Sequence, residues 1–222
     1  MNLNEILKKH DMWLKCKGGK QANLSYTDLE CTNLRGVNLK DANLRGVNLK
    51  DSNLRYANLS SVDLSHSNLS GADLRYADLR YADLRNVDLR HADLSYANLI
   101  NTDLKNVKTN INTIGYNLAC PEEGSFIGYK KANDCLVKLL ILKDSKRSSS
   151  TTSKCRCDKA KVLEIRDIRT GEKVGKISSN YDFRFIYKIG EIIKVDNFDD
   201  NRWNECAPGI HFFMKEEDAI NY

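Results

Sequence analysis

Leucine returns every five residues, without a break, from Leu24 to Leu104, which makes 17 consecutive pentads. Two positions before each leucine sits a small residue: Ala22, Thr27, Thr32, Val37, Ala42 and onward to Thr102. The position between them is Asn or Asp in every pentad, from Asn23 to Asp103, and the other two are polar or turn-prone with few exceptions such as Ile100. A period of five matches neither a helix nor an uninterrupted strand. It fits a two-step extended piece followed by a corner. Residues two apart in such a piece point the same way, so the small residue and the leucine face inward. The Asn or Asp between them faces outward, where its short side chain can bond nearby backbone groups. If each corner turns the chain by roughly a right angle, about four pentads close one coil, and coils stack at ~4.8 Å. The pentads then build about four coils, a rod on the order of 20 Å long.

The motif, as in Ala72-Asp73-Leu74-Arg75-Tyr76 and Ala82-Asp83-Leu84-Arg85-Asn86, resembles the pentapeptide-repeat proteins. The resemblance spans residues 22 to 108 and implies a right-handed quadrilateral β-helix. A solenoid has open ends that invite edge-to-edge association. Residues 4 to 17 supply a cap for the first: Asn4 is the expected N-cap, Ile6, Leu7, His10, Trp13 and Leu14 recur at helical spacing, and Gly18-Gly19 ends the helix. The expected division is therefore a helical cap over 1–21, the solenoid over 22–108 and a further domain over 109–222.

Charge excludes more than it selects. The solenoid carries 11 Lys/Arg against 11 Asp/Glu, the first 21 residues 5 against 2, and the remainder 19 against 17. No segment is basic enough to direct the chain to nucleic acid. Some pentapeptide-repeat proteins bind DNA gyrase by imitating DNA, which takes an acidic rod. A neutral rod with Lys or Arg after the central leucine in 10 pentads departs from that pattern. DNA mimicry is thus the alternative reading rather than the first. No apolar run is long enough for a membrane span and Met1 to Glu5 lacks a signal-peptide start, so a cytoplasmic protein without membrane partners is expected.

Positions 20 apart share a face of the rod. Tyr56, Tyr76 and Tyr96 then form one column, with Arg35, Arg55 and Arg75 beside it. Tyrosine supplies rigid amphipathic area and arginine forked donors, so these six are the candidate binding residues. The bland alternative is that they only solvate the rod, the arginines being offset by Asp73 and Asp93. The other columns are poorer: that of Tyr81 has Asp41, Ser61 and Asn101, and that of His66 has Tyr26, Gly46, Asn86 and Asn106.

Beyond Lys108 the five-residue phase is lost, and residues 109 to 119 read as an exit segment. Phe126 to Lys130, Cys135 to Leu142, Lys161 to Ile168 and Glu191 to Val195 are rich in branched and aromatic residues and read as strands. Thr170-Gly171-Glu172 reads as a turn, Lys143 to Lys154 as a polar loop, and Lys215 to Tyr222 as a short closing helix. The expectation is a small α+β domain dominated by antiparallel strands. The stretches GYKKA, RSSSTTSKCR and NRWNECAPGIHFF resemble an uncharacterised domain that follows pentapeptide repeats in phage and large DNA virus proteins. That resemblance implies no established activity.

Four constellations in this domain bear on chemistry. Cys155-Arg156-Cys157 with Cys206 and His211 offers zinc ligands, but the CxC spacing is tighter than the usual pairs and no second pair exists. Cys206 and His211 offer a nucleophile and a base, at a spacing that matches no recognised arrangement. The hydroxyls and cations of Arg147 to Lys154 suit a phosphate, or an ordinary solvated loop. Tyr129, the Ser/Thr run and Gly209-Ile210-His211-Phe212 resemble the strand pattern of ADP-ribosyltransferases, without a glutamate in a catalytic place. All seven cysteines are expected to be reduced, because their number is odd and their spacing irregular. Together these features favour a non-enzymatic scaffold with a protein partner and no cofactor or metal. A weak transferase-like site in the C-terminal domain is the further alternative. A deep cleft lined by Arg147, Cys155, Cys206 and His211 would favour the enzyme. Partner identity and oligomeric state stay open.

Overall fold

The computed structural model describes residues 2–204 and 206–222. The chain divides into two compact units, Met1–Asn117 and Leu118–Tyr222.

The first unit opens with helix α1 (Leu3–Leu14) and continues as the repeat, whose coils are joined by parallel bridges between residues 20 apart, from Asn23 with Asn43 to Asp88 with Lys108. The pentad Ala57 to Ser61 shows why the sequence folds this way, since each of its five backbone N–H groups has an acceptor. Ala57 donates to Leu54 of the preceding pentad (3.0 Å), closing the corner. Asn58 donates to Val37 (2.9 Å) in the coil before, and Leu59 and Ser61 donate to Asp78 and Arg80 (2.8 Å each) in the coil after. Ser60, at the outer corner, donates to the Asn58 side chain (3.1 Å). This last contact recurs in every one of the 17 pentads, always from the residue after the leucine to the Asn or Asp before it. The invariant Asn/Asp is therefore an acceptor for the one N–H that the ladder leaves over. The fifth position takes a positive φ, at Ser61 (57°) as at Tyr76 (61°), which makes the corner.

Leu24 through Leu99 are all buried, as are the small residues beside them except Thr27, Thr32 and Val37, which are half-buried like Leu104 in the last pentad. The expected N-cap moves by two residues: Asn2 accepts the Glu5 N–H (3.3 Å), and Asn4 lies inside α1. At the corner, each small residue donates its N–H to the preceding leucine carbonyl, and Ala22 has no such leucine. His10, fully buried on α1, supplies the acceptor instead through Nδ1 (3.1 Å). At the other end the ladder outlasts the leucine pattern. Asp93 bridges Ile114, 21 residues on, and the Asn110 side chain accepts the His91 N–H (3.2 Å) where a backbone carbonyl serves elsewhere. The expected exit segment thus begins as one more partial coil with a residue inserted.

The second unit holds β1 (Phe126–Ala132), β2 (Cys135–Ile141), β3 (Arg147–Ser149), β4 (Cys155–Cys157), β5 (Lys159–Asp167), β6 (Lys176–Ser178), β7 (Ile186–Lys188), β8 (Ile192–Lys194), β9 (Ile210–Phe212) and α2 (Glu216–Asn221). Its sheets run β1-β2-β5-β8, β3-β4-β9 and β6-β7, with every pairing antiparallel. A core around Val137, Leu139, Ile165, Tyr187 and Phe212 lies between them. The four expected strands are β1, β2, β5 and β8. The expected polar loop is not one: Arg147–Ser149 pairs with Cys155–Cys157, and Ser148, Ser149, Ser150 and Thr151 are buried. Its hydroxyls serve the backbone, as when Ser149 Oγ accepts the Ala119 N–H (2.8 Å) and Thr152 Oγ1 that of Lys154 (3.2 Å). No helix among the described residues is long and apolar enough to cross a membrane.

Candidate functional site

The tyrosine column stands on the solenoid surface. The rings of Tyr56 and Tyr76 stack at 5.0 Å and 10°, and those of Tyr76 and Tyr96 at 4.9 Å and 5°. The coil spacing sets this distance, and all three side chains remain exposed, at 48%, 43% and 54%. Arg35 and Arg55 place their guanidinium groups 5.4 and 5.5 Å from the Tyr56 ring centre.

Arg75 behaves differently, and the residue before the leucine explains it. Where that residue is Asp, the arginine folds back and grips it with a fork: Arg75 on Asp73 (2.8 and 2.5 Å), and likewise Arg80 on Asp78, Arg85 on Asp83 and Arg90 on Asp88. These hydrogen bonds hold the aspartates below the usual carboxylate range, against the opposing effect of burial. Arg35 and Arg55 follow Asn33 and Asn53, which offer no charge. Neither makes an ion pair among the described residues, and Arg55 Nε is buried without a hydrogen-bond partner.

The second unit contains a cleft of about 440 Å³. Lys130 on β1 and Lys154 before β4 line it with His211 on β9, and Phe185, Val195 and Ile210 form apolar wall. A smaller hollow of about 130 Å³ shares Lys130, Tyr181, His211 and Tyr222 with it. Lys130 sits on the side of β1 that carries Phe126, Gly128 and Ala132, the side facing the core. Burial, and then the Lys154 charge, pull its ammonium down to about 8. Lys154 is buried, donates to the Tyr222 hydroxyl (2.9 Å) and lies 5.0 Å from that ring's centre. His211 falls to about 4, chiefly through burial and further through Lys154, Lys130 and Arg156, although its contact to the Ala207 carbonyl (3.0 Å) opposes this. The imidazole is therefore neutral at physiological pH, with Nε2 donating to that carbonyl.

Comparison with known families now has geometry to attach to. Eight copies of the pentapeptide repeat match in four overlapping segments that together span residues 20–108. The chain is a pentapeptide-repeat protein. Residues 116–219 match a family of unknown function, DUF5758. Among solved structures, a pentapeptide-repeat protein (Rfr23) of the cyanobacterium Cyanothece 51142 is 35% identical over 42% of this chain and 64% of its own, with a TM-score of 0.42. One from the thylakoid lumen of Arabidopsis thaliana is 34% identical over 42% of this chain and 62% of its own, with a TM-score of 0.38. One from Nostoc PCC 7120 is 34% identical over 48% and 80%, with a TM-score of 0.30. The chain thus spans less than two thirds of the first two. No curated protein matches it.

In this pentapeptide-repeat protein the constellation proposed for chemistry comes apart. Cys206 and His211 line the cleft, but Arg147 and Cys155 do not. Arg147 spends its guanidinium on the carbonyls of Gly124 (2.8 Å), Leu142 (2.9 Å) and Lys143 (3.0 Å), holding a chain reversal together. Cys155 and Cys157 are buried; the contact with the Cys120 thiol and then burial push the Cys155 thiol far up, and burial and then the Asp158 charge push up that of Cys157, which leaves both unreactive. Among the described residues, the one group of three or more ligand-type side chains gathered within 4.8 Å is Glu30, Cys31 and Asp51, all exposed on the rod and apart from the expected cysteine set. Sequence reasoning does not single out Lys130, and Lys154 enters it only as a flanking cation of the Arg147 to Lys154 run. A signal existed for Lys130: in Phe126-Ile127-Gly128-Tyr129-Lys130-Lys131-Ala132, strand alternation puts Lys130 on the face of Gly128 and Ala132.

Proposed function

We propose that the protein is a non-enzymatic scaffold whose solenoid, a right-handed quadrilateral coil capped by α1, displays the Tyr56–Tyr76–Tyr96 column to a protein partner bearing carboxylates. One observation carries this reading: the stacked tyrosines lie beside Arg35 and Arg55, the two arginines of that face that make no ion pair among the described residues. The column is held by the coil spacing, so little side-chain freedom is lost on contact. Guanidinium groups without carboxylate partners can bridge to those of another protein. Arg75, forked onto Asp73, braces the face rather than contacting the partner.

The DNA-mimic alternative lacks comparable support, because the aspartates of four successive pentads lie inside arginine forks. A supercoiling assay with purified gyrase should show no potent inhibition. The principal test is Tyr76→Ala combined with Arg55→Ala, with circular dichroism to check the fold. A partner recovered by pull-down, then purified, should bind the double variant at least about tenfold more weakly, since arginine and tyrosine anchors contribute on the order of 1–2 kcal/mol each. Retention of full affinity would place the binding face elsewhere.

A further inference from the structure

Lys130 is an unusual occupant of its strand. Alternation turns it to the core side of β1, between Gly128 and Ala132, where it lines the cleft and makes no hydrogen bond or ion pair among the described residues. Its neighbour Lys131 donates to the Ile220 carbonyl (2.9 Å), and Lys154, also of the lining, donates to the Tyr222 hydroxyl (2.9 Å). The other titratable groups of the lining are Tyr181, Asp182, Tyr187, Cys206 and His211. Asp182 is engaged by Arg184 through a backbone N–H (3.0 Å) and Nε (3.3 Å), and the neutral His211 is turned to the Ala207 carbonyl (3.0 Å). An amine withdrawn from water loses hydration that favours its ammonium form. Burial, and then the Lys154 charge, bring Lys130 to about 8, so near pH 7 roughly one chain in ten carries the free base, against about one in three thousand for an ordinary lysine. A desolvated lysine whose lone pair is free is a nucleophile. Beside it Phe185, Val195 and Ile210 form an apolar wall, and a cavity of about 440 Å³ with few polar groups on apolar ground has the form of a small-molecule site.

We propose that this cleft is a covalent site for an aldehyde with an apolar body, Lys130 supplying the amine and Phe185, Val195 and Ile210 the seat for the body. The Lys130 Nζ lone pair adds to the carbonyl carbon and forms the C–N bond, while the nitrogen gives up a proton and the carbonyl oxygen takes one. The carbinolamine then loses that oxygen as water as the C=N bond forms. Amine and aldehyde thus become an imine and one water, with nothing oxidised or reduced. The protons exchange with solvent, which reaches the cleft past the exposed Tyr181. The step uses the free amine of Lys130 and draws on no charge at Lys154. The site lies in the other unit from the tyrosine column, so it stands or falls independently of the scaffold reading.

The test is reductive trapping on the full chain with benzaldehyde and cyanoborohydride, which converts the imine to a stable benzylamine, followed by intact mass and peptide mapping. Acetaldehyde, the same reactive group without the body, is the comparison. Near pH 7, benzaldehyde should modify Lys130 at least about tenfold faster than any other lysine, because the larger free-base fraction outweighs the weaker nucleophilicity of a less basic amine. Lys131, engaged by the Ile220 carbonyl, should stay unmodified under the same conditions. The preference for Lys130 should be smaller with acetaldehyde. It should also fall between about pH 8 and about pH 10, where ordinary lysines gain free base and Lys130 has already done so. Lys130→Met should abolish the fast adduct, and Phe185→Ala should bring the benzaldehyde preference down toward that of acetaldehyde. Labelling spread evenly over the lysines, a preference equally strong with acetaldehyde, or one that does not fall with pH would each overturn the proposal. These three readings come from the wild-type chain and so decide the matter even where a substitution fails to fold.

Discussion

Lys130 is held against its own preference. Its folded pKa of about 8 lies below the ordinary 10.5, because burial and Lys154 disfavour the charge. Between those values the unfolded chain binds more protons, so stability rises with pH there, and below about 8 the cost is felt in full. Lys130→Met should therefore stabilise the second unit by on the order of 2 kcal/mol at neutral pH, an advantage that fades toward pH ~10. Urea unfolding across that range checks it, and an advantage that does not change with pH would contradict the assignment. His211 shows the acid counterpart. Its folded pKa of about 4 lies below the ordinary 6.5, so the stability of its neutral state is present above 6.5 and lost as pH falls toward 4. His211→Asn should flatten that acid limb in the same measurement. Neither residue announces its role by type, since a lysine in a strand and a histidine in an apolar run are both common. Alternation within β1 gives the side of the strand, but the meeting of β1, the approach to β4 and β9 depends on long-range pairing that no local pattern encodes.

At the scale of elements, the pentad is legible because each one satisfies its own needs. The leucine fills the core, the small residue leaves room for it, and the Asn or Asp accepts the corner N–H. Leu64→Ala should cost ~2–5 kcal/mol, as expected for a fully buried leucine in packed surroundings. Asn58→Ala, which removes the acceptor of the Ser60 N–H, should cost about 1 kcal/mol. Asn58→Asp should be near neutral, since Asp63 makes the same contact to Ser65 (2.9 Å). Chemical denaturation of the three variants separates the acceptor role from mere polarity, because a polarity requirement alone would leave the alanine variant close to wild type. The pattern misleads where side chains replace backbone. The inserted residue near Asn110 breaks the leucine phase while the ladder continues to Ile114. The Ser/Thr run reads as solvated, yet it supplies the strand β3 and buried hydroxyl acceptors. A composition rule cannot see that, because the backbone groups those hydroxyls satisfy belong to distant segments such as Ala119.

For the molecule as a whole, two cores matter. One is the leucine column of the solenoid, and the other surrounds Phe212 and Val137 in the second unit. A unit with its own core can unfold in its own cooperative step, and a solenoid couples mainly neighbouring coils. Calorimetry of the full chain should therefore resolve two transitions. Leu64→Ala should lower one of them, by about 10 °C or more for a unit of this size, and leave the other in place. Lys130→Met at neutral pH should raise the other and leave the first. The two responses assign each transition to its unit without cutting the chain. One transition that both substitutions shift would mean that the cores unfold together, and the solenoid and its companion would then have to be treated as a single thermodynamic domain.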